Sequence, residues 1–374
     1  MSTSPIRALW VTNAAAPYRI PIWAELARRF DLRIGLLETT ARLQRKELNR
    51  GDDWVARQVP GAKVVEYRTV RVKRGEDTYF GLPLPDAARD LARADVVLLG
   101  GWDSPAYWQL LAQARLTRKP AVGFYESTLA SRSRHTGALA AARRRYFHAL
   151  DRVVVPGPAA RDAVLDMGVD PSRVLMGFNA VDSAVFRQTP AAQPHTGHRF
   201  LYVGQFIARK NLEAIVDAFA EMADEQDRLT LVGQGELRAT IQQRAADSGV
   251  GERVHFVEYL PNNELPGLMA EQDCLVLASH VEVWGLVVNE ALESGMQVVV
   301  TANCGVAPSV AGMPGVHLAS ADASDLADVM RKARADWQGR IVDPPIRKYT
   351  PERFAGVFEE ALRAAIASRG GRDD

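Results

Sequence analysis

The sequence predicts an α/β chain of two doubly wound, Rossmann-like parallel-sheet domains in tandem. Three observations carry this. Short apolar runs alternate with amphipathic stretches along most of the 374 residues, the mark of parallel strand–helix units. The pattern breaks at 180–198, a stretch rich in Pro, Ala and polar residues, and then restarts, as an inter-domain linker requires. In both halves strands run into glycine-bearing turns ahead of helices, where ligands of such sheets bind.

In the first half, IRALWVT (6–12) reads as a strand, IPIWAELARRF (20–30) as a helix and DLRIGLLE (31–38) as a strand. ADVVLLGG (94–101) is a strand ending in glycines, followed by a helix at 107–117 and the strand PAVGFYE (120–126). A helix at 135–150, the strand RVVVPG (152–157) and a helix at 158–168 with a glycine stop complete the half.

In the second half, the predicted strands are RFLYVG (199–204), RLTLVGQG (228–235), VHFVEYL (254–260), CLVLAS (274–279) and QVVVTA (297–302). Between them fall helices at 212–224, 236–249, 263–272 and 285–295, with others at 323–337 and 351–368. Two such domains facing each other would leave a cleft between them.

The bulk numbers are those of a globular protein, with 47% hydrophobic and 24% charged residues. A net charge of +1 predicts no global field toward nucleic acid or membrane. Cys274 and Cys304 have neither metal spacing nor a disulfide framework. No apolar run reaches the roughly 18 residues of a spanning helix, and the N-terminus reads as a first buried strand, not a signal peptide. A cytoplasmic protein is the expectation, with peripheral contact at the inner face of a membrane left open.

Three loops of the second half carry candidate chemistry. In VGQFIARKN (203–211), Gly204 ends a strand, and Arg209 and Lys210 precede a helix. Helix amides and two cations suit a diphosphate; solvated surface charges are the plainer alternative. In LVGQGELR (231–238), Gly233 and Gly235 make a tight turn, open between close backbone approach to a ligand and a simple turn.

The third loop is HVEVWGLVVNEALESG (280–295). Glu282 lies just before a helix begun by Gly285, and Glu290 lies one turn in from Leu286. The amides of Gly285, Leu286 and Val287 face out between the two carboxylates. Carboxylates accept from hydroxyls and free amides bind anions, so hydroxyls flanking a diphosphate, as in a nucleotide sugar, fit. The alternative is a dipole-compensating Glu282 and a solvated Glu290. His280 is open between orienting Glu282 and plain loop, and Cys304 between lining this pocket and core; Cys274 reads as core.

Together these residues resemble the retaining glycosyltransferases of family 4, which have the two-domain GT-B fold. Their marker, two glutamates separated by seven residues around a Gly-Leu-Val step, stands here as Glu282 to Glu290. The resemblance also covers YVGQFIARKNL, LVGQGEL, VHFVEYLPNNELPGLMAEQDCLVLAS and NAVDSAVF, roughly residues 150 to 310. It implies that Glu282 contacts the donor sugar, Glu290 the ribose, and Arg209 and Lys210 the diphosphate. It also implies that Gly285, Leu286 and Val287 offer amides, that backbone near Tyr259 and Leu260 receives the base, and that Gly204 and Gly233 border the donor. No metal is implied, and no Asp-x-Asp motif stands in a suitable loop. The domains expected are 1–178 for the acceptor, 179–350 for the nucleotide sugar, and 351–374, a final helix returning to the first domain plus a tail.

The first half resembles the family more loosely. Tyr18 and Arg19, in a Pro-Tyr-Arg step, and Trp102, Asp103 and Glu126 at strand ends are the acceptor-side candidates. The histidine that many members carry near Glu126 is missing, so Glu126 is the candidate to assist the acceptor hydroxyl. The basic run Arg132, Arg134, Arg143, Arg144 and Arg145 reads as a solvated helix face before a lipid-headgroup or phosphorylated-acceptor contact.

The function expected is sugar transfer from a UDP- or GDP-type donor to an acceptor hydroxyl with retention, in polysaccharide, glycolipid or other glycoconjugate synthesis. Alternatives are a nucleotide-sugar epimerase or hydrolase, glycosylation of a small secondary-metabolite aglycone, and a non-catalytic sugar-nucleotide or glycan-binding protein. Neither base, sugar, acceptor nor oligomeric state is read from these residues, and no nucleic-acid partner is expected.

Overall fold

The computed structural model describes residues 5–38, 58–74, 77–82, 86–132, 134–187 and 195–370. The first residues of the N-terminal reading, 188–194 of the linker and the end of the polar tail lie outside the described residues. The chain divides into two compact units, Met1–Asn179 with Pro351–Asp374, and Ala180–Thr350.

The first unit holds a seven-stranded parallel sheet of β1 (Arg7–Thr12), β2 (Asp31–Leu36), β3 (Lys63–Glu66), β6 (Val96–Leu99), β7 (Ala121–Phe124), β8 (Arg152–Val155) and β9 (Val174–Met176). A separate antiparallel hairpin pairs β4 (Val70–Arg74) with β5 (Asp77–Gly81). The order β3-β2-β1-β6-β7-β8-β9 reverses direction between β1 and β6. The loops at 13–19 and 100–104 therefore open at the switch point.

Fully buried strands explain the continuous apolar runs: all four residues of β6 and of β7 are buried. The final helix, Pro351–Gly370, packs on this sheet. Phe358 lies 4.7 Å from Trp10 and 5.2 Å from Phe124, ring centre to ring centre. Burying each such aromatic contributes on the order of 1.5–3 kcal/mol. Arg29–Glu359 at 2.8 Å and Arg369–Asp151 at 3.0 Å flank the seam.

The second unit holds a six-stranded parallel sheet of β10 (Arg199–Val203), β11 (Arg228–Val232), β12 (Val254–Val257), β13 (Cys274–Leu277), β14 (Gln297–Thr301) and β15 (Val316–Ala319). Its order, β12-β11-β10-β13-β14-β15, reverses between β10 and β13. The loops following those two strands carry Arg209, Lys210 and Glu282, so the topology brings them to one rim.

Sequence periodicity passes over β3, β4, β5, β9, β15 and the helix Asp86–Arg93. These are short or half-exposed elements without an apolar run. The stretch read as linker contains the helix Ser183–Arg187, whose Arg187 reaches Glu293 at 3.4 Å. No helix among the described residues is long and apolar enough to cross a membrane.

Candidate functional site

In the second unit, β10 ends at Val203, and the chain turns through Gly204 into the short 3-10 turn Ala208–Lys210. Asn211 then adopts the left-handed conformation (φ 58°, ψ 41°) and heads the helix Leu212–Met222, a position Asn tolerates better than most residues. Its amide donates to Ala278 O at 3.2 Å and Ala321 O at 2.8 Å. This side chain thereby ties the Arg-Lys loop to the end of β13. The sequence reading used Asn211 only as a helix start; an Asn, which tolerates the left-handed conformation, directly after two cations was the available signal.

Lys210 Nζ donates to Glu282 Oε2. Arg209 Nη1 lies 3.6 Å from the same oxygen and donates to Val281 O at 3.4 Å. One carboxylate thus faces two cations. The backbone of Arg209 accepts from the His280 amide at 2.9 Å, whereas the His280 side chain is exposed and makes no hydrogen bond to Glu282 among the described residues.

Glu282 is fixed from behind. Its carbonyl accepts from Gly305 N–H at 3.0 Å, and Trp284 O accepts from Val306 N–H at 3.0 Å. Buried Trp284 donates from its indole to Asn289 at 3.0 Å. The apolar residues between the two glutamates are therefore anchors. Cys304 is buried, and its thiol contacts Thr301 Oγ1 at 3.4 Å; burial pushes that thiol up to about 11. Cys274 is fully buried in β13.

Gly285 has φ 103° and heads the helix Leu286–Glu293 with no side-chain cap. A Cβ there would stand 2.8 Å from Leu277 Cδ2, so the turn needs glycine for its conformation and for space. Leu286 and Val287 are half-buried in the first turn. Glu290 is also half-buried, its carboxyl has no ion pair or hydrogen bond among the described residues, and burial alone pushes that carboxyl up to about 7. A carboxyl with no partner in a structured rim is a binding-site signal.

The two glycine turns lean on each other. Gly204 N–H donates to Val232 O, and a Cβ on Gly233 would stand 1.9 Å from Gly204 O. Arg238 donates to Gly233 O at 3.1 Å and lies against Phe206 and Phe256. Tyr259 and half-buried Leu260 follow β12 at the same strand ends, with Tyr259 48% exposed.

In the first unit the structure joins Arg19 and Glu126. Arg19 is buried and donates to Glu126 Oε2 at 2.5 Å and Thr12 Oγ1 at 2.7 Å. Burial works against its charge, but Tyr18, Glu126 and Tyr107 outweigh this and hold it protonated. Asn179 Nδ2 donates to Glu126 Oε1 at 3.2 Å, so both carboxylate oxygens are engaged. Thr12 and Asn179 were not sequence candidates; Asn179 opens the NAVDSAVF stretch that carries part of the resemblance, but nothing in the local pattern of Thr12 marks it.

Trp102 is half-buried with the Arg143 guanidinium 5.2 Å from its ring centre, and Asp103 is exposed beside it. The basic run splits. Arg134, Arg144 and Arg145 are exposed, but Arg132 and Arg143 are buried, contrary to a wholly solvated face. Arg132 pairs with Asp166, and Arg143 donates to Arg134 O at 2.8 Å. No group of three or more His, Cys, Asp or Glu among the described residues is placed to hold a metal ion.

Comparison with known proteins adds the family. Residues 188–342 match the model described as glycosyl transferases group 1, and 15–185 that described as Glycosyltransferase Family 4. Glycogen synthase of Mycobacterium tuberculosis is 28% identical over 272 residues, 68% of this chain and 64% of that enzyme. The chain thus spans just under two thirds of the length of that relative. Among solved structures, the lipopolysaccharide outer core galactosyltransferase WaaB superposes with a TM-score of 0.70 at 12% identity, covering 96% of this chain and 99% of that one. Anabaena HepE, solved in complex with UDP and glucose, gives 0.63 at 15% identity, covering 98% of each chain. At such identities the likeness is one of fold.

Proposed function

Because the chain belongs to the glycosyltransferases of group 1 and family 4, with the GT-B fold, we propose that it moves a sugar from a UDP- or GDP-type donor to an acceptor hydroxyl with retention of configuration. The observation that carries this is the meeting of Arg209 and Lys210 with Glu282 at the switch point of the second unit's sheet. In the unliganded chain the carboxylate is the counter-ion of both cations. A donor diphosphate takes over that role, and Glu282 turns to the sugar hydroxyls.

The bond broken is that between the anomeric carbon and the diphosphate oxygen; the bond formed joins that carbon to the acceptor oxygen. Negative charge builds on the leaving phosphate. Lys210, Arg209 and the amides of Gly285, Leu286 and Val287 stabilise it there, which raises rate and not affinity alone. The acceptor's proton leaves to the departing phosphate oxygen on the same face, so no carboxylate nucleophile is needed. The Glu290 carboxylate accepts from the ribose hydroxyls, and backbone near Tyr259 and Leu260 receives the base. With this charge supplied by side chains and amides, turnover needs no metal ion.

On the acceptor side, Tyr18, Arg19, Trp102, Asp103 and Glu126 are the residues we assign to the first unit. Arg19 holds Glu126 in place rather than leaving it free as a base. The acceptor class is a polysaccharide or glycolipid precursor or a small aglycone.

Donor screening by nucleotide release tests this reading, with UDP-, GDP-, ADP- and TDP-sugars, with and without acceptors, and with EDTA. Acceptor-dependent release unaffected by EDTA, and a product of the donor's anomeric configuration, are expected. Conversion of the nucleotide sugar to an isomer without acceptor would replace it with epimerase activity.

A further inference from the structure

Away from the donor rim, the second unit has a cavity of about 520 Å³ lined by His195, Thr196, Arg199, Gln226 and Arg228. Its size falls within the roughly 300–1,000 Å³ of small-molecule sites. Arg199 opens β10 and Arg228 opens β11. The cavity therefore sits at the N-terminal strand ends. It lies roughly 16 Å along β10 from Gly204 and the loop of Arg209 and Lys210. None of its five residues belongs to the site described above.

The two arginines set its character. They stand in register as neighbours on the parallel strands β10 and β11. Both side chains thus leave the same face of the sheet, about 4.8 Å apart strand to strand, and like charges so placed repel. A surface arginine is ordinarily a solvated charge or one half of an ion pair. Counter-ions are plentiful here, since residues 180–350 hold 22 Asp and Glu against 14 Lys and Arg, a net of −8. Yet neither Arg199 nor Arg228 makes an ion pair among the described residues. Arg199 Nη1 donates to Glu271 O at 3.2 Å, and Arg228 Nη1 to Glu225 O and Asp227 O, each at 2.8 Å. These carbonyls fix both forks and leave most N–H donors of each unspent.

The buried carboxylates behind the cavity are committed elsewhere. Asp273 accepts from Arg199 N–H at 2.8 Å and stands 3.4 Å from His195 Nε2. Asp227 accepts from His198 N–H at 2.7 Å and pairs with Arg334 at 2.7 Å. The walls are tied together as well. His195 Nδ1 donates to Gly197 O, and Thr196 Oγ1 to Gln226 Oε1, each at 3.2 Å. Gly197, at φ 75°, lies so close to the neighbouring turn that a Cβ on it would stand 2.1 Å from Gln226 O, an approach that only glycine allows.

The cavity thus presents two fixed guanidiniums with a hydroxyl and an amide beside them. Two planar forks side by side match the oxygens of one phosphate, whose charge cancels their repulsion. Thr196 and the Gln226 amide suit hydroxyl groups next to that phosphate. We propose that the cavity is a second ligand site, separate from the donor rim, which takes a phosphate monoester of a small polyhydroxylated molecule. It does not rest on the transfer reaction proposed above.

The test is titration calorimetry of the full chain with ribose 5-phosphate, inorganic phosphate and ribose. It is repeated on Arg209→Ala with Lys210→Ala, which removes the donor-rim cations. Ribose 5-phosphate should bind at millimolar concentration or below, inorganic phosphate more weakly and ribose not at all, and the donor-rim variant should bind as wild type does. Arg199→Gln and Arg228→Gln should each lower the affinity at least about ten-fold.

If the glutamines prevent folding, Thr196→Trp fills the cavity from an exposed position and should abolish binding with both arginines in place. Wild-type protein that binds no ribose 5-phosphate overturns the proposal. So do loss of binding in the donor-rim variant, which would move the ligand to that rim, and unchanged binding in the folded Arg199→Gln or Thr196→Trp variant. Inorganic phosphate that binds as tightly as ribose 5-phosphate overturns the monoester assignment.

Discussion

Lys210 and Glu282, 72 residues apart in sequence, form an ion pair in the second unit, and Arg209 stands 3.6 Å from the same carboxylate oxygen. The pair is buried enough to matter, each side chain 12% exposed. Removing the cation and removing its counter-ion should have opposite effects on nucleotide affinity. Lys210→Ala should cost on the order of 100- to 1000-fold in turnover and weaken binding of the nucleoside diphosphate. Glu282→Gln should also lose turnover, yet bind the nucleoside diphosphate at least as tightly as wild type, because the cations lose their internal competitor. Titration calorimetry separates the two, and weakened nucleotide binding in Glu282→Gln would contradict the counter-ion role.

Glu290 makes a pH prediction. Burial raises its carboxyl from an ordinary 4.5 to about 7. The folded chain then binds more protons than the unfolded one across that window, so stability falls as pH rises from about 4.5 to 7 and levels off above. The loss is at most about 3 kcal/mol, less whatever solvent contact relieves. Glu290→Gln should therefore melt higher than wild type at pH 8 and alike near pH 4.5. Donor affinity should move the other way, rising through pH 7 in wild type as the carboxylate becomes an acceptor, and staying weak and flat in the variant. A donor affinity in Glu290→Gln equal to wild type would remove Glu290 from the site.

Much of this site could be read in the chain before any coordinates, for a physical reason. Glu282, Gly285 and Glu290 lie within one loop–helix step, and Arg209 and Lys210 within another, so local spacing carries them. That the two steps meet depends on β10 and β13 being neighbours, and only the apolar alternation hinted at that. What stayed hidden is what acts at a distance: Asn179 on Glu126, Thr12 on Arg19, and Asn211 on Ala321. The β4–β5 hairpin stayed hidden because its strands are only five residues each and carry no apolar run; Val70-Arg71-Val72-Lys73 does alternate, but over too short a stretch to stand out.

The turn at Gly233 should be among the least tolerant in the second unit. A methyl group there would stand 1.9 Å from the Gly204 carbonyl oxygen, at φ 139°. Gly249, at φ 72°, has nothing within 4 Å of the same added atom. Gly249→Ala should cost only backbone strain, about 1 kcal/mol, and Gly233→Ala about 2–3 kcal/mol or more. Because the obstructing atom is backbone of the loop leading to Lys210, Gly233→Ala should also raise the donor KM. Thermal unfolding and donor saturation curves check both, and equal melting points for the two variants would show that the Gly204 loop yields without cost.

The Arg19–Glu126 pair decides what the first unit contributes. Removing one partner leaves the other charged and buried, which typically costs 3–5 kcal/mol. Arg19→Met and Glu126→Leu should each destabilise by that order, whereas the double variant should recover at least about 1 kcal/mol of the summed loss, as residues in one network do. Neither single variant nor the double should transfer sugar well, because the loop after β1 and the strand end at Glu126 are positioned by the pair. The sharper case is Glu126→Gln, which keeps the shape and still accepts from Asn179 or Arg19. If Glu126 positions Arg19, this variant should lose stability and turnover together, with Asn179→Ala reproducing a milder version of both. If Glu126 instead takes the acceptor's proton, Glu126→Gln should lose turnover by orders of magnitude with its melting point unmoved.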